Sequence, residues 1–287
     1  MQLFLQQTIN GVMLGGMFAL MSIGLTMMFG IMKTANFAYG ALYMLGGYAA
    51  FWCSQLLGTP YWLSLSAAFV VGCAMGVIVE GVGFRRFRGN EDATLIFGLG
   101  VALVARGAAV IAWGSQSRYV PTSFNAYHLG PFIFPSARLW AAAASVVIVA
   151  AVYLLVTRTK WGRVIRAVSD NSERASLVGF NTTVQYAVVA ALATGLSAVA
   201  CVFLIPVFSL SPTVDDSALY TAMTVVILGG LGSIVGCAAG SMIIGLVTAF
   251  SFGYLNSTIA PLVPLVLLLI VLAFRPEGLL GRVERTV

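Results

Sequence analysis

Residues 219–253 read LYTAMTVVILGGLGSIVGCAAGSMIIGLVTAFSFG, a run with no acidic or basic side chain. A helix needs about 20 apolar residues to cross the hydrocarbon core of a bilayer. This run is too long for one crossing and too poor in charge for a soluble domain. Gly229, Gly230 and Gly232 interrupt its middle, where they loosen a helix. The stretch is expected to be a broken helix or two short helices within a membrane.

The whole chain agrees with that reading. Of its 287 residues 60% are apolar and 8% charged, with a mean hydropathy of +0.98, whereas a soluble domain carries roughly 25% charged residues. A soluble globular enzyme is excluded. Further apolar runs lie at about 8–30, 37–57, 61–84, 94–113, 138–157, 184–206 and 256–274. The expected fold is all-α, a polytopic integral membrane helical bundle of about eight to nine spans, with residues 1–287 forming a single transmembrane domain. Met1 to Asn10 has no basic residue and leads straight into a long span, so no removed signal peptide is expected.

The excess of basic residues, 15 against 9 acidic, sets orientation, because Lys and Arg collect in cytoplasmic loops. Arg85, Arg86 and Arg88 place 85–93 in the cytoplasm, and Arg158, Lys160, Arg163, Arg166 and Arg174 place 158–183 there too. Segments 114–137 and 207–218 then lie outside, with the N-terminus. Segment 31–36, with Lys33, is cytoplasmic by the same tracing, and the tail, with Arg275, Arg282 and Arg285, falls on that side only if 219–253 crosses twice. The basic residues are not interleaved with aromatics as a nucleic-acid surface requires, and no nucleic-acid partner is expected.

Catalytic and metal chemistry are weakly represented. Cys53, Cys73, Cys201 and Cys237 lie singly in apolar runs and read as small packing residues; no metal site is expected. His128 is the only histidine and has no partner at nucleophile or ligand spacing. No nucleophile elbow, no His-Glu-x-x-His and no phosphate-binding Gly-x-x-x-x-Gly-Lys-Ser/Thr is present. The chain is expected to be neither an enzyme in its own right nor an ATPase, and to bind no cofactor.

One loop concentrates the charge. Residues 158–181 read RTKWGRVIRAVSDNSERASLVGFN. Asp170 followed by Glu173 reads as a helix start and Gly179 as a stop, so a helix of about two turns is expected between them. Val164, Ile165, Ala167 and Val168 alternate with Arg163 and Arg166, giving an amphipathic piece suited to anionic lipid or a partner's groove. From the residues alone, a solvated basic loop serves as well.

The pattern Gly162-x-x-x-Arg166-Ala167-x-Ser169, continued by Ala175, Leu177 and Gly179, resembles the cytoplasmic coupling loop of ATP-binding-cassette import permeases of the branched-chain amino acid type. Further matches to that family follow in order: Ile9-Asn10-Gly11, Asn36-Phe37-Ala38-Tyr39-Gly40, Met44-Leu45-Gly46-Gly47-Tyr48, Arg106 through Trp113-Gly114, Gly229-Gly230-Leu231-Gly232-Ser233, and Arg275-Pro276-Glu277-Gly278-Leu279. Tyr39 departs from it, since the family commonly has His there. The resemblance implies a multi-pass permease of the plasma (inner) membrane, paired with a sister permease subunit. Two cytoplasmic ATPase subunits, which use the ATP and Mg, would energise it, and a periplasmic or extracellular solute-binding protein would feed it. It also implies that Gly162, Arg163, Arg166, Ala167, Ser169, Asp170, Glu173, Arg174, Ala175, Leu177 and Gly179 couple the ATPases to the spans. Branched-chain amino acids are its commonest cargo, with urea, amides and aromatic acids as variants. An autonomous secondary carrier or channel is the alternative, and the placement of the acidic residues at span ends or in loops counts against it.

Within the spans, Arg106 is the basic residue that must be paired, face water or snorkel. It is expected either to line the path or gate it, opposite a carboxylate, or to serve structure alone. Asn36, Phe37 and Tyr39 read as a cap at the cytoplasmic mouth with a possible gate role, and Gly229, Gly230 and Gly232 as a flexible break in the path. Glu80 is expected to pair with Arg85 or Arg86, and Asn256 with Ser257 to cap the last span.

Overall fold

The computed structural model describes residues 2–32, 36–118, 126–129, 132–256, 258–275 and 278–280. Helix α1, Gln2–Met27, continues through a π-helical turn, Met28–Met32. It is followed by α2, Tyr39–Leu57, then α3, Tyr61–Val79, with its own π-helical turn, Glu80–Phe84. Helices α4, Glu91–Trp113, and α5, Ser136–Arg158, flank a short antiparallel hairpin of β1, Ala126–Leu129, and β2, Phe132–Pro135. Two short helices, α6, Lys160–Asp170, and α7, Ser172–Leu177, lead into α8, Thr182–Phe208. The chain ends with α9, Val214–Gly229, α10, Ile234–Tyr254, and α11, Leu262–Phe274.

Among the described residues, α1, α3, α4, α5, α8 and α10 are long and apolar enough to cross a membrane. With α11, a shorter apolar helix, that makes seven apolar helices among the described residues against the eight to nine spans expected; α2 and α9 add two further helices to the bundle. The all-α expectation holds apart from the one hairpin, which lies in the external loop and includes His128. Lys33, Ser257, Arg282 and Arg285 lie outside the described residues.

The run 219–253 does divide into two helices, the later part of α9 and α10. Gly230 and Gly232 adopt positive φ angles of 102° and 79°, a region open to glycine at little cost. The chain reverses there, and Ser233 caps α10 by accepting a hydrogen bond from the Gly236 amide at 3.0 Å. A Cβ at Gly236 would lie 2.0 Å from the Gly229 oxygen, and one at Gly240 2.9 Å from the Val225 oxygen, the pairing of an antiparallel helix hairpin. The cytoplasmic end then gathers the ends of α1 and α5, the α9–α10 turn and the tail, where Leu279 and Leu280 donate backbone hydrogen bonds to Leu228 and Gly229.

Helices α1 and α8 are almost wholly buried, whereas α3, α4 and α5 expose most of their surface. Small residues explain how the two central helices are surrounded so closely. A Cβ on Gly245 of α10 would come 2.3 Å from the Gly15 nitrogen of α1, and one on Gly46 of α2 2.2 Å from the Ala198 Cβ of α8. Between apolar spans there is no water to expel, so such close approach, with its dispersion contacts, is a main source of cohesion.

Four local expectations are corrected. The helix expected to begin at Asp170 begins at Ser172, capped by Asn171, whose side chain accepts from the Arg174 amide at 2.9 Å; Asp170 instead ends α6. Glu80 pairs with Arg88 rather than Arg85 or Arg86, because the π-helical turn shifts the register beyond it. Asp215 and Asp216 belong to the first turn of α9 rather than to a loop. The last helix starts at Leu262, with Asn256 making a backbone turn to Ile259 and Ala260 ahead of it.

Candidate functional site

At the cytoplasmic end, Thr159 accepts from the Gly162 amide at 3.0 Å and starts α6 immediately after α5. Gly162 permits this fold-back, since a Cβ there would lie 2.1 Å from the Val156 oxygen. Gly162, Ile165 and Val168 form the buried face of α6. Arg163, Arg166 and Ala167 are exposed on the other side. Ser169 reaches inward and donates to the backbone oxygen of Gly30 at the end of α1.

Helix α7 buries Ala175 but exposes Glu173, Arg174 and Leu177. Leu177 and Val178 are 86% and 77% exposed. Gly179 ends the segment at φ 92°, as the stop signal foretold. The coupling residues read from the sequence thus divide into two groups. Gly162, Ser169 and Ala175 anchor the two helices, while Arg163, Arg166, Ala167, Asp170, Glu173, Arg174, Leu177 and Gly179 are presented outward. Sequence reasoning missed the apolar Val178 and Phe180, which continue the exposed patch. Under α6 lies a cavity of about 400 Å³, bordered by Gly30, Arg166, Ser169, Asp170 and Gly232.

The second group of residues lies within the spans. Arg106 stands two turns, about 10 Å, before the Trp113 end of α4, where Trp113 stacks on Tyr48 with centroids 4.4 Å apart and meets Trp52 edge-on. Trp113 and Trp52 mark the external interfacial belt. Arg106 donates from Nε and Nη2 to one oxygen of Asp215, at 3.0 and 2.8 Å, and Nη2 also pairs with Asp216. Asp215 is 2% exposed, and its second oxygen has no hydrogen-bond partner. The carboxylates occupy the N-terminal turn of α9, where the helix dipole favours negative charge. Gly40 lets this turn come close, because a Cβ there would lie 2.2 Å from the Asp215 oxygen.

Arg106 therefore does meet carboxylates, both of them at the N-terminal end of α9. Asp215 and Asp216 were legible only as an acidic helix start after Thr213; nothing local links them to an arginine 109 positions earlier.

The remaining gate candidates are dispersed. The Asn36 side chain accepts from the Ala38 amide at 2.9 Å, setting the turn before α2. Tyr39 is buried and donates to the Met21 oxygen, with Phe37 half-buried beside them. Gly229, Gly230 and Gly232 sit at the α9–α10 reversal, with Gly232 against Gly30.

These features define a multi-pass α-helical membrane protein with two short helices anchored at one end of the bundle and a charged cluster inside it. The chain belongs to the family of branched-chain amino acid transport system permease components, whose profile matches residues 7–272. It is 33% identical over 297 residues to the high-affinity branched-chain amino acid transport system permease protein LivH of Escherichia coli, covering 98% of this chain and 96% of that one. The permease protein BraD of the corresponding system in Pseudomonas aeruginosa is 30% identical over 297 residues, covering 98% and 97%. A shorter match, 35% identical over 115 residues and 38% of this chain, is to the fructose import permease protein FrcC of Rhizobium meliloti. No solved structure matches.

Proposed function

We propose that this chain is the membrane-spanning subunit of an ATP-driven importer that passes branched-chain amino acids into the cell. It pairs with a sister permease, docks two cytoplasmic ATPases that bind the ATP and Mg, and receives solute from an external binding protein. The observation that carries this reading is the α6–α7 surface. Leu177, Val178 and Phe180 form an exposed apolar patch bordered by Arg163, Arg166, Glu173 and Arg174, which suits a groove in a cytoplasmic partner. The chain supplies no phosphate loop of its own.

Force applied at α7 has a route into the spans. It passes through the buried face of α6 and the Ser169–Gly30 hydrogen bond to α1, and from Gly30 across to Gly232 in the α9–α10 turn. Helix α9 carries it on to Asp215 and its partner Arg106, which brace the outer end of that helix. Asn36, Phe37 and Tyr39 hold the mouth of α2 beside that route.

The deciding experiment reconstitutes the chain with its partner ATPases, sister subunit and binding protein in proteoliposomes. Leucine uptake that requires both ATP and the binding protein is expected. Leucine transport by the chain alone, without ATP, would establish an autonomous carrier instead.

A further inference from the structure

The outer half of α9 turns a polar face away from the rest of the subunit. Thr213, Ser217 and Tyr220 are exposed there, Tyr220 by 59%, and the Asp216 side chain by 49%. These positions recur at helical spacing on one stripe. Further along α9 the same stripe becomes apolar, with Met223 and Ile227.

The depth of the stripe decides what can face it. Asp216 shares the Arg106 side chain, and Arg106 is about 10 Å inward from the Trp113 belt by the rise of α4. Tyr220 is one turn further along α9. A half-exposed carboxylate at that depth cannot face hydrocarbon without a cost of several kcal/mol. The outward faces of α4 and α5 behave differently, with Leu103, Val104, Val146 and Val147 exposed and purely apolar. The subunit thus has lipid-like faces on α4 and α5 and a polar face, unsuited to lipid, on α9.

From this contrast we infer that the Thr213–Asp216–Ser217–Tyr220 face of α9 lines the water-filled path of the solute, with Arg106 and Asp215 supporting its charged wall from behind. Asp216 has Arg106 on one of its oxygens and projects half-exposed into that path. On the other flank of the stripe, Ser217, Tyr220 and Thr221 border a cavity of about 300 Å³ walled by Phe18, Phe208 and Phe252, room for the apolar part of a small solute. The inference rests on the transport reading above and adds to it the surface along which the solute moves.

The test uses single-cysteine variants of the assembled complex in proteoliposomes, with the four native cysteines replaced, and a membrane-impermeant maleimide added outside. Only a thiolate in contact with water reacts well, so Ser217→Cys and Tyr220→Cys should label at least about tenfold faster than the lipid-face control Val104→Cys. Saturating leucine and loaded binding protein should slow labelling at both positions. Labelling that leucine leaves unchanged would still support a water-lined face while overturning the amino-acid assignment. If both variants react as slowly as Val104→Cys, the path does not run along α9 and the inference fails. It also fails if the isolated subunit labels in detergent but the assembled complex does not, since a neighbouring subunit then covers this face.

Discussion

The Ser169 hydroxyl donates to the backbone oxygen of Gly30, joining α6 to the π-helical end of α1 across 139 positions of sequence. It is the one described side-chain hydrogen bond that runs from the α6–α7 surface into the transmembrane core. The residues on either side of it, Ile165 and Val168, are fully buried, so the helix is held both by packing and by this polar contact.

Ser169→Ala removes that hydrogen bond, worth about 1 kcal/mol. ATP-driven leucine uptake in proteoliposomes is expected to fall several-fold, with the amount of subunit in the membrane unchanged. Ser169→Thr keeps the hydroxyl and should retain more activity. Full uptake by the alanine variant would take this contact out of the coupling route.

Leu177 and Val178 touch little within the subunit, so Leu177→Asp should leave thermal stability within about 0.5 kcal/mol of the parent. Co-purification of the ATPase subunits is nevertheless expected to drop, as an apolar anchor in a groove is replaced by a charge. Arg166→Glu and Arg174→Glu should lower uptake while leaving affinity for the external binding protein intact. Normal ATPase recovery with all three variants would place the docking surface elsewhere.

Arg106→Gln leaves Asp215 buried without its counter-charge, and breaking a buried pair on one side costs about 3–5 kcal/mol. Arg106→Met combined with Asp215→Leu removes both charges of the closest pair and should be milder, although Asp216 remains. Melting in detergent, followed by the fluorescence of the tryptophans, should rank the parent highest and Arg106→Gln below the double variant. The opposite order would mean that Asp215 is stabilised by something other than Arg106.

Two glycines with opposite surroundings give a paired test of helix approach. Gly245→Ala forces a methyl to within 2.3 Å of the Gly15 nitrogen, and overpacking of that kind costs about 1–3 kcal/mol. Gly100→Ala meets open space and should be neutral or stabilise α4 by up to about 1 kcal/mol. Yields of folded, monodisperse protein in detergent should separate the two. Equal yields would show that α1 and α10 are not held together by this contact.

Much of the fold was legible from composition and periodicity. In a bilayer the backbone must satisfy its own hydrogen bonds, so a long uncharged run has one economical outcome, the helix. That reasoning placed the apolar helices and the break within 219–253, and the basic loops gave an expected orientation. The glycines of α1 and α3 do sit against neighbouring helices, since a Cβ at Gly11 would lie 2.7 Å from the Leu246 Cα and one at Gly76 2.1 Å from the Thr194 hydroxyl. Turn chemistry was less transparent. Asp170 and Asn171 are both good caps, and only the fold-back of α6 onto α5 decides in favour of Asn171.

The charged cluster shows where local reading stops. Arg106, alone in an apolar span, announced from the sequence that it needed a partner, because an unpaired charge is costly there. Which partner it takes depends on α4 and α9 coming together near Gly40, a contact set by the sum of many small-residue approaches and written in no one segment. The same holds for α9. From the sequence Asp215 and Asp216 read as part of a loop, whereas the structure puts them in the first turn of α9, and the surrounding helices determine which of its faces remains open. Hydrogen bonding within a helix and transfer from water to lipid act over a few residues and can be read along the chain. Burial of one face rather than another, and the pairing of charges 109 positions apart, exist only once the helices are assembled.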